Sequence, residues 1–192
     1  MFRAPASRSL LLALFAFSAT AAAEDPNYNF IQGSYGQIEA DDVDVDGDAF
    51  GIEGSVALTD RFHLFGGYTT ADLDFGVDLN QSEIGVGFNS PISETVDLIA
   101  SLAYVSAEVE SGFGSADDSG YGLGLGLRAM VTPVIEVNGD IQYVDFGDGG
   151  DDTGFGAGFL YNFTERFAAG LSGDWSDDFS SYQLNARMHF GD

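Results

Sequence analysis

The sequence predicts an all-β fold: an up-and-down antiparallel barrel that is closed, narrow and crosses a membrane. Apolar and polar residues alternate over long segments, about ten such segments follow one another, and short turns alternate with longer loops. In residues 121–131 the odd positions are all apolar, whereas the even positions are glycines followed by Arg128. Successive side chains of a strand point to opposite faces, so this segment has one tall apolar face and one small or charged face.

The alternation places the strands, and the residues between them place the turns. Strands are predicted near 27–39, 49–59, 62–73, 81–89, 95–108, 119–131, 134–147, 153–163, 166–175 and 180–190. Short periplasmic turns are predicted around Asp60, Pro91, Pro133 and Thr164-Glu165, and longer outer loops at 40–48, 74–80, 109–118, 148–152 and 176–179. Eight strands stay an alternative to ten, because the alternation of the first segment is broken around Gly33 and Gly36.

The apolar face could be buried against a second sheet or exposed to lipid. A secreted β-sandwich would bury it, but sandwich strands are mostly shorter and more variable than these segments. The alternation is sustained over about nine to eleven residues per strand, which is the length that a tilted strand needs to cross a membrane. Aromatic residues also recur near the strand ends, as in the interfacial girdles of membrane barrels. These are Phe62, Phe88, Tyr104, Tyr121, Tyr143, Phe163, Trp175, Tyr182 and Phe190.

The first 23 residues have the pattern of a cleaved signal peptide, which leaves 24–192 as one barrel domain. Arg3 and Arg8 precede a short apolar run, and three alanines precede the expected cleavage before Glu24. The chain has no cysteine, so disulfides cannot stabilise it. The formal net charge is −25, and it becomes −27 without the two arginines of the signal. This negative charge makes nucleic acid a poor partner. The acidic outer loops are expected to attract divalent cations loosely.

The polar face should line the lumen. Its predicted charged residues are Glu53, Glu83, Asp97, Arg128, Glu136, Asp140, Asp174 and Arg187. If 131–133 form a three-residue turn, Met130 opposes Val134 and Arg128 opposes Glu136. The last two would then form a charge-neutralising pair, as a dry and narrow interior requires.

One segment matches the calcium loop of an EF-hand. Asp42, Asp44, Asp46 and Glu53 occupy the ligand positions of D-x-D-x-D-G-x5-E, and Gly47 allows the sharp turn. No helix is predicted beside this segment, and Glu53 should already point into the lumen. An acidic outer loop is therefore the preferred interpretation, and no metal site is assigned.

We expect no catalytic, cofactor-binding or metal site, and therefore no enzyme. The chain has two histidines, His63 and His189, and both are predicted on the polar face at the periplasmic end. A lumenal hydrogen-bonding role fits them better than a hydrolytic triad at the outer rim. The Gly-x-Gly repeats lie inside strands and open no helix, which excludes a dinucleotide fingerprint.

Several blocks resemble the small Gram-negative outer-membrane barrels of the xanthomonad immunity-activator type and, more loosely, OmpX-like barrels. They are GDAFGIEGSVALTDRFHLFGGY, SEIGVGFNSPISETVDLIASLAY and GYGLGLGLRAM. The resemblance implies an outer-membrane protein that is also found in secreted vesicles. The last strand resembles the signal read by the barrel assembly machinery, which usually ends on an aromatic residue. Here Phe190 is followed by Gly191 and Asp192.

The expected function is therefore a structural or surface-interaction role in the cell outer membrane, without catalysis. The expected partners are outer-membrane lipid and lipopolysaccharide, with the assembly machinery during biogenesis, and the barrel should be monomeric. The alternative is a small cation-leaning channel, because the predicted lumen contains more acidic than basic residues.

Overall fold

The computed structural model describes residues 26–40, 45–112, 114–176 and 179–191, and within them the chain forms ten strands. They are β1 (Phe30–Ala40), β2 (Val45–Ala57), β3 (Phe62–Leu73), β4 (Val77–Ser93), β5 (Val96–Ser111), β6 (Gly114–Thr132), β7 (Ile135–Asp145), β8 (Asp151–Asn162), β9 (Phe167–Trp175) and β10 (Phe179–His189). A short 3₁₀ turn, Gly147–Gly149, lies between β7 and β8. None of the described residues lies in a helix that could span a membrane.

The strands form one closed antiparallel barrel. Each strand pairs with its neighbours in sequence, and β1 pairs with β10 to close the wall. Closure gives every strand two partners, so no strand edge remains to hydrogen-bond with another chain. The predicted fold class is therefore confirmed with ten strands, and the eight-strand alternative is wrong. The first strand is continuous through Gly33 and Gly36.

The outer loops are shorter than the sequence suggested, because several strands continue into them, and β4, β5 and β6 do so furthest. β4 begins at Val77, β5 ends at Ser111 and β6 begins at Gly114, so most of the predicted loops 74–80 and 109–118 is strand. These strands have 17, 16 and 19 residues, whereas crossing a bilayer takes about ten. Their upper parts therefore extend beyond the membrane as paired hairpins.

The four periplasmic turns are stabilised by the same kind of hydrogen bond, from a backbone N–H group to a side-chain hydroxyl. In three of them a threonine hydroxyl accepts hydrogen bonds from the backbone N–H groups two and three residues later. The three threonines are Thr59, Thr132 and Thr164, and Ser93 accepts one such bond from Thr95. These side-chain bonds stabilise tight turns by satisfying backbone donors. The turn predicted at Pro91 lies later, at 94–95, because β4 continues to Ser93 through a bulge.

The outer face of the wall is apolar, as expected of a surface that contacts lipid. Leu123, Leu125 and Leu127 are 56%, 56% and 47% exposed, and similar side chains follow on the other strands. Aromatic rings form contacts along both ends of this band, including Phe62 with Phe88 and Tyr104 with Tyr121. The predicted girdle residues thus lie on the outer face.

The inner face is less polar than the alternation implied. Ala103, Val105, Met130, Leu160 and Ala168 are buried together with polar side chains. Glycines on the same face contribute no side-chain volume, which leaves room for the larger side chains in a narrow interior.

We predict that Leu125→Arg destabilises the folded protein in lipid bilayers by about 2 to 4 kcal/mol, because it places a guanidinium near the middle of the lipid-facing band. Ser119→Arg is the matched control, since Ser119 lies exposed on the same face of β6 beyond Tyr121. Unfolding in urea, followed by heat-modifiable gel mobility, measures both variants. Equal stability of the two variants would contradict the assignment of this face to lipid.

Candidate functional site in the barrel lumen

Arg128 and Glu136 form a bidentate ion pair inside the barrel. The Arg128 Nε atom lies 2.8 Å from Oε1 of Glu136, and Nη2 lies 2.9 Å from Oε2. The predicted pair is confirmed, but the predicted register is wrong. Arg128 opposes Asn138, and Met130 opposes Glu136.

The register differs because the turn is tighter than a three-residue loop. Thr132 opposes Ile135 across a two-residue turn, and the ladder skips Val131 between Met130 and Thr132. The Thr132 hydroxyl stabilises this tight turn. The partner of Arg128 therefore moves by two residues, from 136 to 138. An even shift leaves every side chain on its face, so Arg128 and Glu136 still meet diagonally inside the lumen.

Glu136 also binds a second arginine. Nη1 of Arg187 lies 2.9 Å from the Glu136 Oε1 atom, and Nε of Arg187 donates a 2.8 Å hydrogen bond to Gln32. A further nitrogen of Arg187 lies 3.8 Å from Glu53. Glu136 is only 2% exposed. A single buried carboxylate thus binds guanidinium groups from β6 and β10 at once.

Two aromatic residues complete this group, which we name the lower-lumen cluster: Tyr28, Phe30, Arg128, Glu136 and Arg187. The guanidinium carbon of Arg187 lies 4.0 Å from the centre of the Phe30 ring, and that of Arg128 lies 5.0 Å from the Tyr28 ring. Such cation–π contacts are favourable where water is excluded. The Tyr28 hydroxyl donates a 2.8 Å hydrogen bond to the carboxylate of Asp97. Together these residues fill the interior near the periplasmic end.

Both histidines lie buried beside the cluster, as the sequence predicted. The His63 ring stacks on Tyr28 with centroids 4.6 Å apart, and the His189 ring meets the edge of Phe30 at 6.3 Å. Their Nδ1 atoms have no hydrogen-bond partner among the described residues. Ring packing is therefore a main contact of each, and the hydrogen-bonding role of the two histidines stays a prediction.

A cavity of about 240 Å³ lies against the cluster inside the barrel. Glu53, Glu83 and Asp140 line it together with Arg128, Glu136 and Arg187. Of the remaining predicted lumenal residues, Asp97 is buried by Tyr28, and Asp174 receives hydrogen bonds from Ser181 and Gln183. The structure thus places all eight predicted charged residues on the inner face.

Sequence reasoning missed Tyr28 and Phe30. The first predicted strand included Tyr28, whereas β1 begins at Phe30, and Tyr28 precedes the strand. Phe30 lies on the inner face of β1, next to Ile31 on the outer face. The sequence did contain one signal for Phe30. It is an aromatic residue at a position that alternates with the lipid-facing residues of its strand.

The calcium-loop match does not form one site. Asp42 and Asp44 lie outside the described residues. Asp46 is exposed on the outer face of β2, whereas Glu53 lines the lumen, so these two carboxylates lie on opposite sides of the wall. Across the described ranges, no three His, Cys, Asp or Glu side chains converge as metal ligands.

A closed ten-strand wall, an apolar outer face and an ion-paired interior define a transmembrane β-barrel. A family model described as the outer membrane protein β-barrel domain matches residues 9–163, and the chain belongs to this family. A search of curated proteins found no match.

The fold is similar to that of a solved porin structure, at low sequence identity. The KdgM porin in complex with disordered oligogalacturonate superposes with a TM-score of 0.51 and 8% identity, over 84% of this chain and 99% of that chain. OprG from Pseudomonas aeruginosa gives 0.45 and 11%, over 88% and 99% of the two chains. Ail of Yersinia pestis gives 0.43 and 14%, over 84% and 95%.

We predict that Glu136→Gln lowers the free energy of unfolding by about 3 kcal/mol, because it leaves two buried guanidinium groups without their shared counter-charge. Glu108→Gln, at an exposed position of β5, should change stability by less than about 0.5 kcal/mol. Urea titration of both refolded variants in lipid vesicles measures the difference. A Glu136→Gln protein as stable as the control would show that the cluster does not stabilise the barrel.

Proposed function

We propose that this protein is a non-enzymatic outer-membrane barrel with a structural or surface-interaction role and a lumen closed at its periplasmic end. The observation that carries the proposal is the lower-lumen cluster. Its members Tyr28, Phe30, Arg128 and Glu136 are each less than 10% exposed, and they bind one another across the interior. An interior held by bidentate ion pairs and aromatic contacts favours a rigid support over an open pore.

The outer end supports a role at the cell surface. Asp48, Asp72, Asp78 and Glu110 stand directly opposite one another on β2 to β5, all on the outer face. Like charges placed opposite each other destabilise a sheet unless water or counter-ions separate them. We infer that this row holds divalent cations loosely and faces lipopolysaccharide above the aromatic band. All four residues lie on strands, although Asp48, Asp78 and Glu110 fall in segments that the sequence predicted as outer loops.

The finer family assignment and the biogenesis also belong to this proposal. The blocks that resemble the xanthomonad immunity-activator type fall mainly on the β2–β3 and β4–β5 hairpins and on β6. We infer that residues 1–23 are a cleaved signal, that 24–192 form the mature barrel, and that the assembly machinery recognises β10. The mature barrel acts as a monomer in the outer membrane, which fits its wall of ten mutually paired strands.

A small cation-leaning channel is the second candidate. The observation that favours it is the cavity beyond the cluster, whose wall includes three carboxylates. A cation could enter this space from the outer end, but its passage would require the lower-lumen cluster to rearrange.

We predict that the wild-type protein produces no discrete conductance steps in planar bilayers, whereas Tyr28→Ala/Phe30→Ala does. The double substitution removes both aromatic rings that cover the lumenal arginines. Tyr35→Ala/Tyr68→Ala removes two exposed outer-face rings instead and should stay silent. Cation-selective steps from the wild type would contradict the closed lumen and favour the channel.

A further inference from the structure

The lumen carries two pairs of carboxylates, and each pair flanks a glycine on the strand between them. Gly67 of β3 opposes Glu53 on one side and Glu83 on the other. Gly156 of β8 opposes Asp140 and Asp174 in the same way. Because β3 and β8 lie five strands apart in a ring of ten, the two pairs stand on opposite walls.

The glycines give these carboxylates the space that a side chain would fill. A Cβ atom on Gly67 would lie 3.5 Å from Oε1 of Glu83 and 3.6 Å from Cβ of Glu53. A Cβ atom on Gly156 would lie 2.9 Å and 3.0 Å from the carboxylate oxygens of Asp174 and Asp140. The carboxylates of Glu83, Asp140 and Asp174 therefore lie over the glycine beside them, and each pair concentrates negative charge at one place on the wall.

Little positive charge in the described structure offsets these groups. Arg187 approaches Glu53 at 3.8 Å but is engaged mainly with Glu136. Glu83 has no hydrogen bond or ion pair to any described residue, and it faces the negative charge of Glu53 and Asp140. A lumen with this excess attracts a cation.

Two buried polar atoms independently indicate a ligand in the same cavity. Ser55 and His63 line the cavity, and neither the Oγ atom of Ser55 nor the Nδ1 atom of His63 has a hydrogen-bond partner within the described residues. Ser55 is 3% exposed and His63 is 7% exposed. A hydroxyl oxygen and a neutral imidazole nitrogen can both accept a hydrogen bond. Buried polar groups normally have such a partner, so these two atoms favour a ligand that donates hydrogen bonds.

The required ligand is an extended cation that carries N–H donors. A single metal ion does not fit, because no three ligating side chains converge in the described structure. Ammonium groups provide both positive charge and hydrogen-bond donors. We propose that the lumen binds a linear organic cation with two or more ammonium groups, whose ends reach the carboxylate pairs at Gly67 and Gly156 while one end donates to Ser55.

This proposal rests on the closed lumen proposed above, in which the lower-lumen cluster closes one side of the cavity. Binding is measured at equilibrium and does not depend on conductance. If the wild type conducts ions and still binds the diamine with the selectivity described below, the closed lumen is wrong and the binding site stands.

The test is calorimetry on the full refolded barrel in detergent micelles at pH 7, with 1,4-diaminobutane as the probe. We expect it to bind at least about tenfold more tightly than n-butylamine, because charge-assisted hydrogen bonds form at both ends. Glu83→Gln and Asp140→Asn should each weaken diamine binding by about tenfold or more, one from each wall. Asp48→Asn/Asp72→Asn removes two charges from the outer face and should leave the affinity within about twofold.

Equal affinity for the diamine and the monoamine would overturn the proposal, and so would equal loss of binding in the outer-face control. Displacement of the diamine by an equal concentration of magnesium would also overturn it, because it would indicate loose charge attraction. Heat-modifiable gel mobility establishes that each variant is folded. If Glu83→Gln does not fold, Asp140→Asn and Ser55→Ala decide the outcome, with weaker binding expected in both.

Discussion

The structure depends on one constraint: in lipid, every backbone N–H and C=O group has to find its partner within the protein. Ten antiparallel strands meet this constraint only because β1 pairs with β10 along its whole length, from Phe30 opposite His189 to Ala40 opposite Phe179. Closure then determines the rest. It turns the leucine stripe of β6 toward lipid, and it confines Arg128, Glu136 and Arg187 to a space that is too narrow for bulk water. The buried ion pairs are therefore a consequence of closing a small barrel around charged residues.

A narrow interior makes each polar residue depend on its neighbours. Glu136 is needed by two arginines, and those arginines lie against Phe30 and Tyr28, which precede or begin the first strand. The group thus joins β1, β6, β7 and β10 across the lumen, independently of the backbone ladder. Replacing Glu136 would leave two buried guanidinium groups without their shared counter-charge, which costs more than the pair itself contributes. These contacts across the lumen consequently stabilise the wall in addition to the backbone hydrogen bonds between its strands.

Most of the fold could be predicted because alternation of apolar and polar residues reports directly on which face a side chain occupies. This inference requires only whether a residue stands at an odd or an even position of its strand. A register shift of two residues does not change that. The Arg128–Glu136 pair was therefore found although its register was wrong. Turn length could not be predicted, since it depends on the Thr132 hydroxyl and on the residue skipped at Val131. The extension of β4, β5 and β6 into the outer loops was also missed, because composition alone assigns their acidic residues to loops.

The cluster near Tyr28 and the carboxylate pairs differ in how far sequence can reveal them. Glu53, Glu83, Asp140 and Asp174 follow the period-2 pattern, so their inward direction was predictable. Their pairing around Gly67 and Gly156 was not, because it depends on the registers of four hairpins and on which strands closure places opposite each other. A glycine between two carboxylates lowers the steric cost of bringing like charges together but not the electrostatic cost. Four carboxylates remain on the inner wall, which a purely structural filling would not require. This excess of negative charge is the physical reason to regard the outer half of the lumen as a cation-binding site rather than as a space filled by side chains.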